Sequence, residues 1–163
     1  MADSTPEVYA AFVSTLLDAE ARRRTALEQK GGAIIATAGT LSTLLFGLVA
    51  VVTSRDSFAL PGASHGWLEA AIVLFVIACF LGILISVPLP YGETTVTAQN
   101  LKSWWNQQSS LALLAVSAAR LQGLAAARRM NTVKAVILDL ATGSLVAALV
   151  MLAVAVIQIL NAS

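Results

Sequence analysis

Residues 135–160 read AVILDLATGSLVAALVMLAVAVIQIL, and this stretch carries one charge, Asp139. As a helix rising 1.5 Å per residue it is about 39 Å long, longer than the ~30 Å hydrocarbon core of a bilayer. Ala33 to Thr53 and Ala70 to Leu89 are of the same kind, and neither holds a charged residue. In hydrocarbon every backbone N–H and C=O must find its partner inside its own segment, so each stretch is expected to be a helix. The reading is all-α: an integral membrane helical protein with three transmembrane helices, two of them extended into the cytoplasm. It forms a single membrane domain over 1–163, with a cytoplasmic helix at 6–32, spans at 33–53, 67–89 and 135–160, an outer loop at 54–66 and a cytoplasmic helical segment at 91–134.

Composition points the same way. Of the 163 residues 58% are hydrophobic and 12% charged, with a mean hydropathy of +0.81, against about 25% charged residues in an ordinary soluble domain. The first residues are acidic and lead into an amphipathic pattern, without the basic segment and short apolar core of a cleavable signal. Ala33 to Thr53 is therefore expected to be retained as the first span. Cys79, the one cysteine, lies mid-span and is read as packing.

Basic residues set the expected orientation, since Lys and Arg near short spans stay cytoplasmic. Arg22, Arg23, Arg24 and Lys30 precede the first span; Lys102, Arg120, Arg128, Arg129 and Lys134 lie between the second and third; Arg55 alone falls between the first two. This predicts a multi-pass protein of a bacterial inner membrane, its N-terminus cytoplasmic and its C-terminus outside, with Trp67 as an outer interfacial anchor.

The cytoplasmic parts also read as helical. Ser4-Thr5-Pro6-Glu7 has the pattern of a capped start, and Tyr9, Phe12, Val13, Leu16 and Leu17 recur at helical spacing. Gly31-Gly32 offers a bend. Pro88 and Pro90 are expected to end the second span. Trp104-Trp105, beside Lys102, suit either the headgroup layer or aromatic packing. Leu111, Leu114, Leu121 and Leu124 lie near one face and are placed to meet the stripe of the first helix, and the segment from Leu111 is expected to join the third span as one helix.

Within the spans, Gly32, Ala36, Thr40, Thr43 and Gly47 put small side chains on one face, and Gly143 and Ala147 continue a similar face that begins at Ala135 and Asp139. Lipid gives helices no hydrophobic reason to associate, so close approach across small residues is expected to make these faces helix contacts. The approaches to the two spans also echo each other, through either a duplicated helix or the common recurrence of small residues. Asp139 stands near the cytoplasmic interface, about 7 Å along the axis from Lys134. It has two readings: a salt bridge to Lys30 or Lys134 or a cap on a neighbouring helix, or a ring of carboxylates in an oligomeric pore. Glu69 at the outer end of the second span admits the same pair.

No catalytic constellation is legible. His65 is the only histidine, so no His pair for a metal and no nucleophile–His pair exists in one chain, and no phosphate-binding glycine pattern occurs. No catalytic residue, metal or cofactor is expected. Retention on the cytoplasmic side and anionic lipid account for the arginines without nucleic acid.

The run Leu16-Leu17-Asp18-Ala19-Glu20-Ala21-Arg22-Arg23-Arg24 and the run Leu27-Glu28-Gln29-Lys30-Gly31-Gly32-Ala33-Ile34-Ile35-Ala36-Thr37-Ala38-Gly39-Thr40-Leu41 resemble the opening of small actinobacterial integral membrane proteins. Arg129-Met130-Asn131-Thr132-Val133-Lys134-Ala135, after an extended helix, is similar to the Pycsar membrane effector and to SLATT-type domains of bacterial conflict systems. The resemblance implies an oligomerising antiviral-defence module that perturbs or permeabilises the inner membrane when a nucleotide signal or a cytoplasmic protein partner triggers it. No cyclic-nucleotide sensor segment accompanies it in these residues. Two functions follow as expectations: a homo-oligomeric pore-forming or membrane-perturbing effector, or a non-conducting scaffold or accessory subunit that recruits a partner through its cytoplasmic helices.

Overall fold

A computed structural model of the chain describes residues 5–53, 62–87, 99, 102 and 109–162. Ser4, Arg55, Pro88, Pro90 and the Trp104-Trp105 pair lie outside the described residues.

Three long helices make up the described chain: α1 over Thr5–Thr53, α2 over Gly62–Ser86 and α3 over Ser109–Ala162. α1 has 49 residues and α3 has 54, so at 1.5 Å per residue each exceeds twice the ~30 Å hydrocarbon thickness. α1 passes through Gly31-Gly32 as continuous helix, and α3 joins the segment after Leu111 to the third apolar stretch without a break. α2 includes Gly62 to Gly66, which the sequence reading gave to a loop. Pro61 stands just before this helix in sequence, where its missing N–H removes no helical bond. At the other end the Val87 N–H still donates to the Ile83 carbonyl at 3.0 Å, and helical conformation is disfavoured directly before Pro88.

The chain divides into two compact units. One takes in Met1–Ala26 and Pro88–Lys134, the other Leu27–Val87 and Ala135–Ser163. In the first unit Val13, Ser117, Leu124 and Asn131 are buried, whereas Tyr9, Phe12, Leu111 and Leu114 of the expected stripes stay exposed.

The second unit packs small residues inside. Ala38, Ala71, Ala78, Ala141, Ala148 and Ala155 are fully buried, joined by Leu27, Ile34, Leu45, Leu68, Phe75 and Ile85. The outside of this unit is the larger-residue surface: Leu44, Phe46, Val76, Phe80, Leu140, Val150, Ile157 and Leu160 are all more than half exposed. α2 and α3 are long and apolar enough to cross a membrane, and only 33% and 17% of their apolar windows are buried. The apolar core helix of a soluble protein has its greasy residues mostly inside; here they point mostly outward.

Contact between α1 and α2 depends on two glycines. A Cβ on Gly82 would stand 2.8 Å from Ile35 Cγ1 and 3.1 Å from the Gly31 carbonyl oxygen. A Cβ on Gly31 would stand 3.0 Å from Ile85 Cγ2 and 3.1 Å from the Gly82 carbonyl oxygen. Each glycine thus admits the other helix's backbone. The Cys79 Sγ lies 4.0 Å from the Ile35 carbonyl at the same contact. α3 is tied to α2 by the Ser144 hydroxyl, which donates to the Leu74 carbonyl at 2.9 Å; such bonds between apolar helices contribute about 0.6–2 kcal/mol.

Gly82→Ala should lower the stability of the purified protein by about 1–3 kcal/mol, because overpacking against Ile35 and the Gly31 carbonyl outweighs alanine's better helix propensity. Gly32→Ala and Gly143→Ala, where an added Cβ meets nothing within 4 Å, should leave stability unchanged or raise it by up to about 1 kcal/mol. Thermal unfolding followed by circular dichroism distinguishes the two classes. Equal behaviour at positions 82 and 32 would refute the glycine contact.

Candidate functional site

The polar feature with most chemical content in the second unit is an open groove of about 430 Å³ between α1 and α3. Lys30, Ala33 and Ile34 line it from α1, and Leu138, Asp139 and Thr142 from α3. Helical periodicity explains the grouping, since residues three and four apart share a face: 30, 33 and 34 on one helix, 138, 139 and 142 on the other. The Ile34 side chain is buried, while Lys30 and Asp139 are both exposed. The Thr142 hydroxyl donates to the Leu138 carbonyl at 2.9 Å, which leaves its oxygen as an acceptor toward the groove.

Lys30 and Asp139 line the same groove without pairing. Among the described residues neither makes an ion pair or a side-chain hydrogen bond, so the expected bridge from Asp139 to Lys30 is not formed. Lys134 is buried, at 1% exposure, and its side chain is not free. Its ammonium therefore differs from the exposed Arg22, Arg23, Arg128 and Arg129 and from the half-buried Arg24. A lysine this buried must be compensated inside the protein.

The small-residue face has an unforeseen position. Gly32, Ala36, Thr40, Thr43, Gly47 and Gly143 are exposed and Ala147 is half-buried. Contacts within this chain use the adjacent α1 face, from Leu27 and Gly31 through Ile34 and Ala38 to Leu45. The threonines on the exposed face are internally satisfied: Thr40 and Thr43 donate to the carbonyls of Ala36 and Gly39 at 2.8 and 2.9 Å. They present a polar-neutral surface with no orphan donor.

In the first unit the sequence reading missed a polar clamp. The Asn131 amide Nδ2 donates both to the Glu20 carbonyl oxygen and to Glu20 Oε1, each at 3.1 Å, and so ties α3 to α1. Asn131 is 1% exposed. Arg23 Nη1 lies 3.6 Å from the same Glu20 carboxylate. The available signal was an acid inside an apolar-patterned helix and an amide inside another, but nothing in sequence relates positions 111 residues apart. His65 and Glu69 are exposed on α2, as is Trp67. Among the described residues no three His, Cys, Asp or Glu side chains gather as a metal-ligand set.

Set against models of known protein families, curated proteins and solved structures, the chain matches none of them.

Asn131→Ala removes both donations from a buried amide to the half-buried Glu20, a loss of about 1–3 kcal/mol. Amide exchange should accelerate in residues 5–26 and 109–134, and Asn131→Asp, which sets a carboxylate against Glu20, should accelerate it further. Unchanged exchange in both variants would show that the clamp contributes nothing.

Proposed function

We propose that the chain is an integral protein of a bacterial inner membrane that assembles with copies of itself and perturbs or permeabilises the bilayer. The observation that carries this reading is the distribution of side-chain sizes in the second unit: alanine and glycine at the contacts, large apolar residues outside. Seventeen large apolar side chains of that unit are exposed among the described residues. Left in water they would form a broad uncovered apolar surface, which costs solubility and invites aggregation. Lipid removes that cost, and in lipid helices associate through small residues. α1 then serves as the third span through Ala33 to Thr53, beside α2 and α3.

Self-assembly is supported by the exposed face of Gly32, Ala36, Thr40, Thr43 and Gly47, whose small side chains the chain does not use in its own contacts. In this reading a permeation path forms between chains, since the interior of the three-helix unit is filled by alanine, leucine, isoleucine and phenylalanine side chains. A ring of Asp139 carboxylates is a poor selectivity device here, because Lys30 shares its groove and offsets its field. The resemblance to Pycsar membrane effectors and SLATT-type domains suggests the setting, a conflict system triggered by a partner or a nucleotide signal. A second reading, a non-conducting scaffold, is favoured by the exposed Arg22, Arg23, Arg128 and Arg129 of the first unit; it places a cytoplasmic partner there. The basic residues put the N-terminus and the first unit on the cytoplasmic side in both readings.

The protein should stay with membranes after an alkaline carbonate wash, run as a defined oligomer in detergent or nanodiscs, and release ions from liposomes. Ala36→Leu combined with Thr40→Leu should reduce the oligomer to monomer and bring leak down to that of empty liposomes, with helicity retained. An oligomer that stays tight in every condition would favour the scaffold, and recovery in the soluble fraction would overturn the membrane reading.

A further inference from the structure

The α1–α3 groove holds one cation and one anion on separate helices, both exposed and neither paired among the described residues, over a floor of Ala33, Ile34 and Leu138. We propose that it is a binding site for the headgroup of a zwitterionic phospholipid with a primary amine, of the phosphatidylethanolamine class. The inference rests on the membrane reading above.

Depth supports the assignment. Lys30 stands three residues before the apolar stretch that begins at Ala33, and Asp139 four residues inside the one that begins at Ala135. At 1.5 Å per residue both lie within about 6 Å of the ends of their hydrocarbon stretches, the level of lipid headgroups. The volume, about 430 Å³, falls in the range of roughly 300–1,000 Å³ usual for small-ligand sites.

The charges select the lipid. Lys30 presents an ammonium to a phosphate, as a point charge with freely rotating donors. Asp139 accepts hydrogen bonds from a primary ammonium, and the Thr142 oxygen is a further acceptor beside it. The apolar floor receives the start of an acyl chain. A phosphatidylcholine headgroup has no N–H to give to Asp139, and an anionic phosphatidylglycerol headgroup leaves the carboxylate without a cation. A lipid with both charges offers each side chain a partner of opposite sign without bringing Lys30 and Asp139 together.

The test is native mass spectrometry of the full chain released from nanodiscs containing equal parts of phosphatidylethanolamine, phosphatidylcholine and phosphatidylglycerol. The wild type should retain phosphatidylethanolamine over phosphatidylcholine by about tenfold or more, the size of one charge-assisted hydrogen bond. Asp139→Asn should bring that ratio to within about twofold of unity, and Asp139→Glu should keep most of it. Lys30→Gln should lower retention of all three lipids. The substituted side chains are exposed, and circular dichroism checks that each variant keeps its helix content. Equal retention of the ethanolamine and choline lipids by wild type, or a preference that survives Asp139→Asn, would overturn the site. Either result, with the protein in the carbonate-resistant membrane fraction, leaves the membrane reading standing; a protein found in the soluble fraction overturns that reading and the site together.

Discussion

The second unit depends on how closely α1 and α2 approach at Gly31 and Gly82. At that crossing a Cβ on either glycine would stand 3.1 Å from the other glycine's carbonyl oxygen, closer than such atoms ordinarily come. Backbone proximity of this kind brings many weak dispersion contacts into range at once, and it lets Ala38, Ala71, Ala78, Ala141 and Ala148 share a thin interior with Leu27, Ile34, Phe75 and Ile85. The hydrogen bond from Ser144 to the Leu74 carbonyl then ties α3 to α2 across an apolar contact. Separate α1 and α2 by the width of a methyl group, and the alanine layer loses its partners.

The same economy of volume explains the outside. Because many contacts use small residues, most large apolar side chains of α2 and α3, Val76, Phe80, Leu140, Val150, Ile157 and Leu160 among them, project outward, while Leu68, Phe75 and Ile85 stay inside. In water this arrangement would be self-defeating, since the hydrophobic effect would favour the inverse. A hydrocarbon solvent would remove that cost and would leave packing quality to decide which faces meet. The side-chain hydroxyls obey the same constraint: Thr37, Thr40, Thr43 and Thr142 each donate back to a carbonyl four residues earlier.

The two units use polarity differently. Asn131 and Glu20 form a buried clamp in the first, where every donation has a designated acceptor. Lys30 and Asp139 in the second face an open groove with their charges unspent on each other. A satisfied polar network fixes helix register; an unsatisfied pair of opposite charges over an apolar floor is equipped to receive something from outside.

Much of this was legible in the residue order. Long uncharged stretches dictated helices, and Pro88 marked the end of the second span through local backbone sterics. Such properties depend only on neighbours along the chain. Helical rotation, by contrast, is set by which partner surface fits, so the sequence pointed to the face of Gly32 and Ala36 while the fold used that of Gly31, Ile34 and Ala38, one residue and about 100° away. The burial of Lys134, the union of Asn131 with Glu20 and the placing of Lys30 and Asp139 in one groove without an ion pair were decided by the tertiary structure alone. Each joins or encloses groups far apart in sequence, and only the packing of whole helices brings such groups within the few ångströms at which hydrogen bonds and charges act.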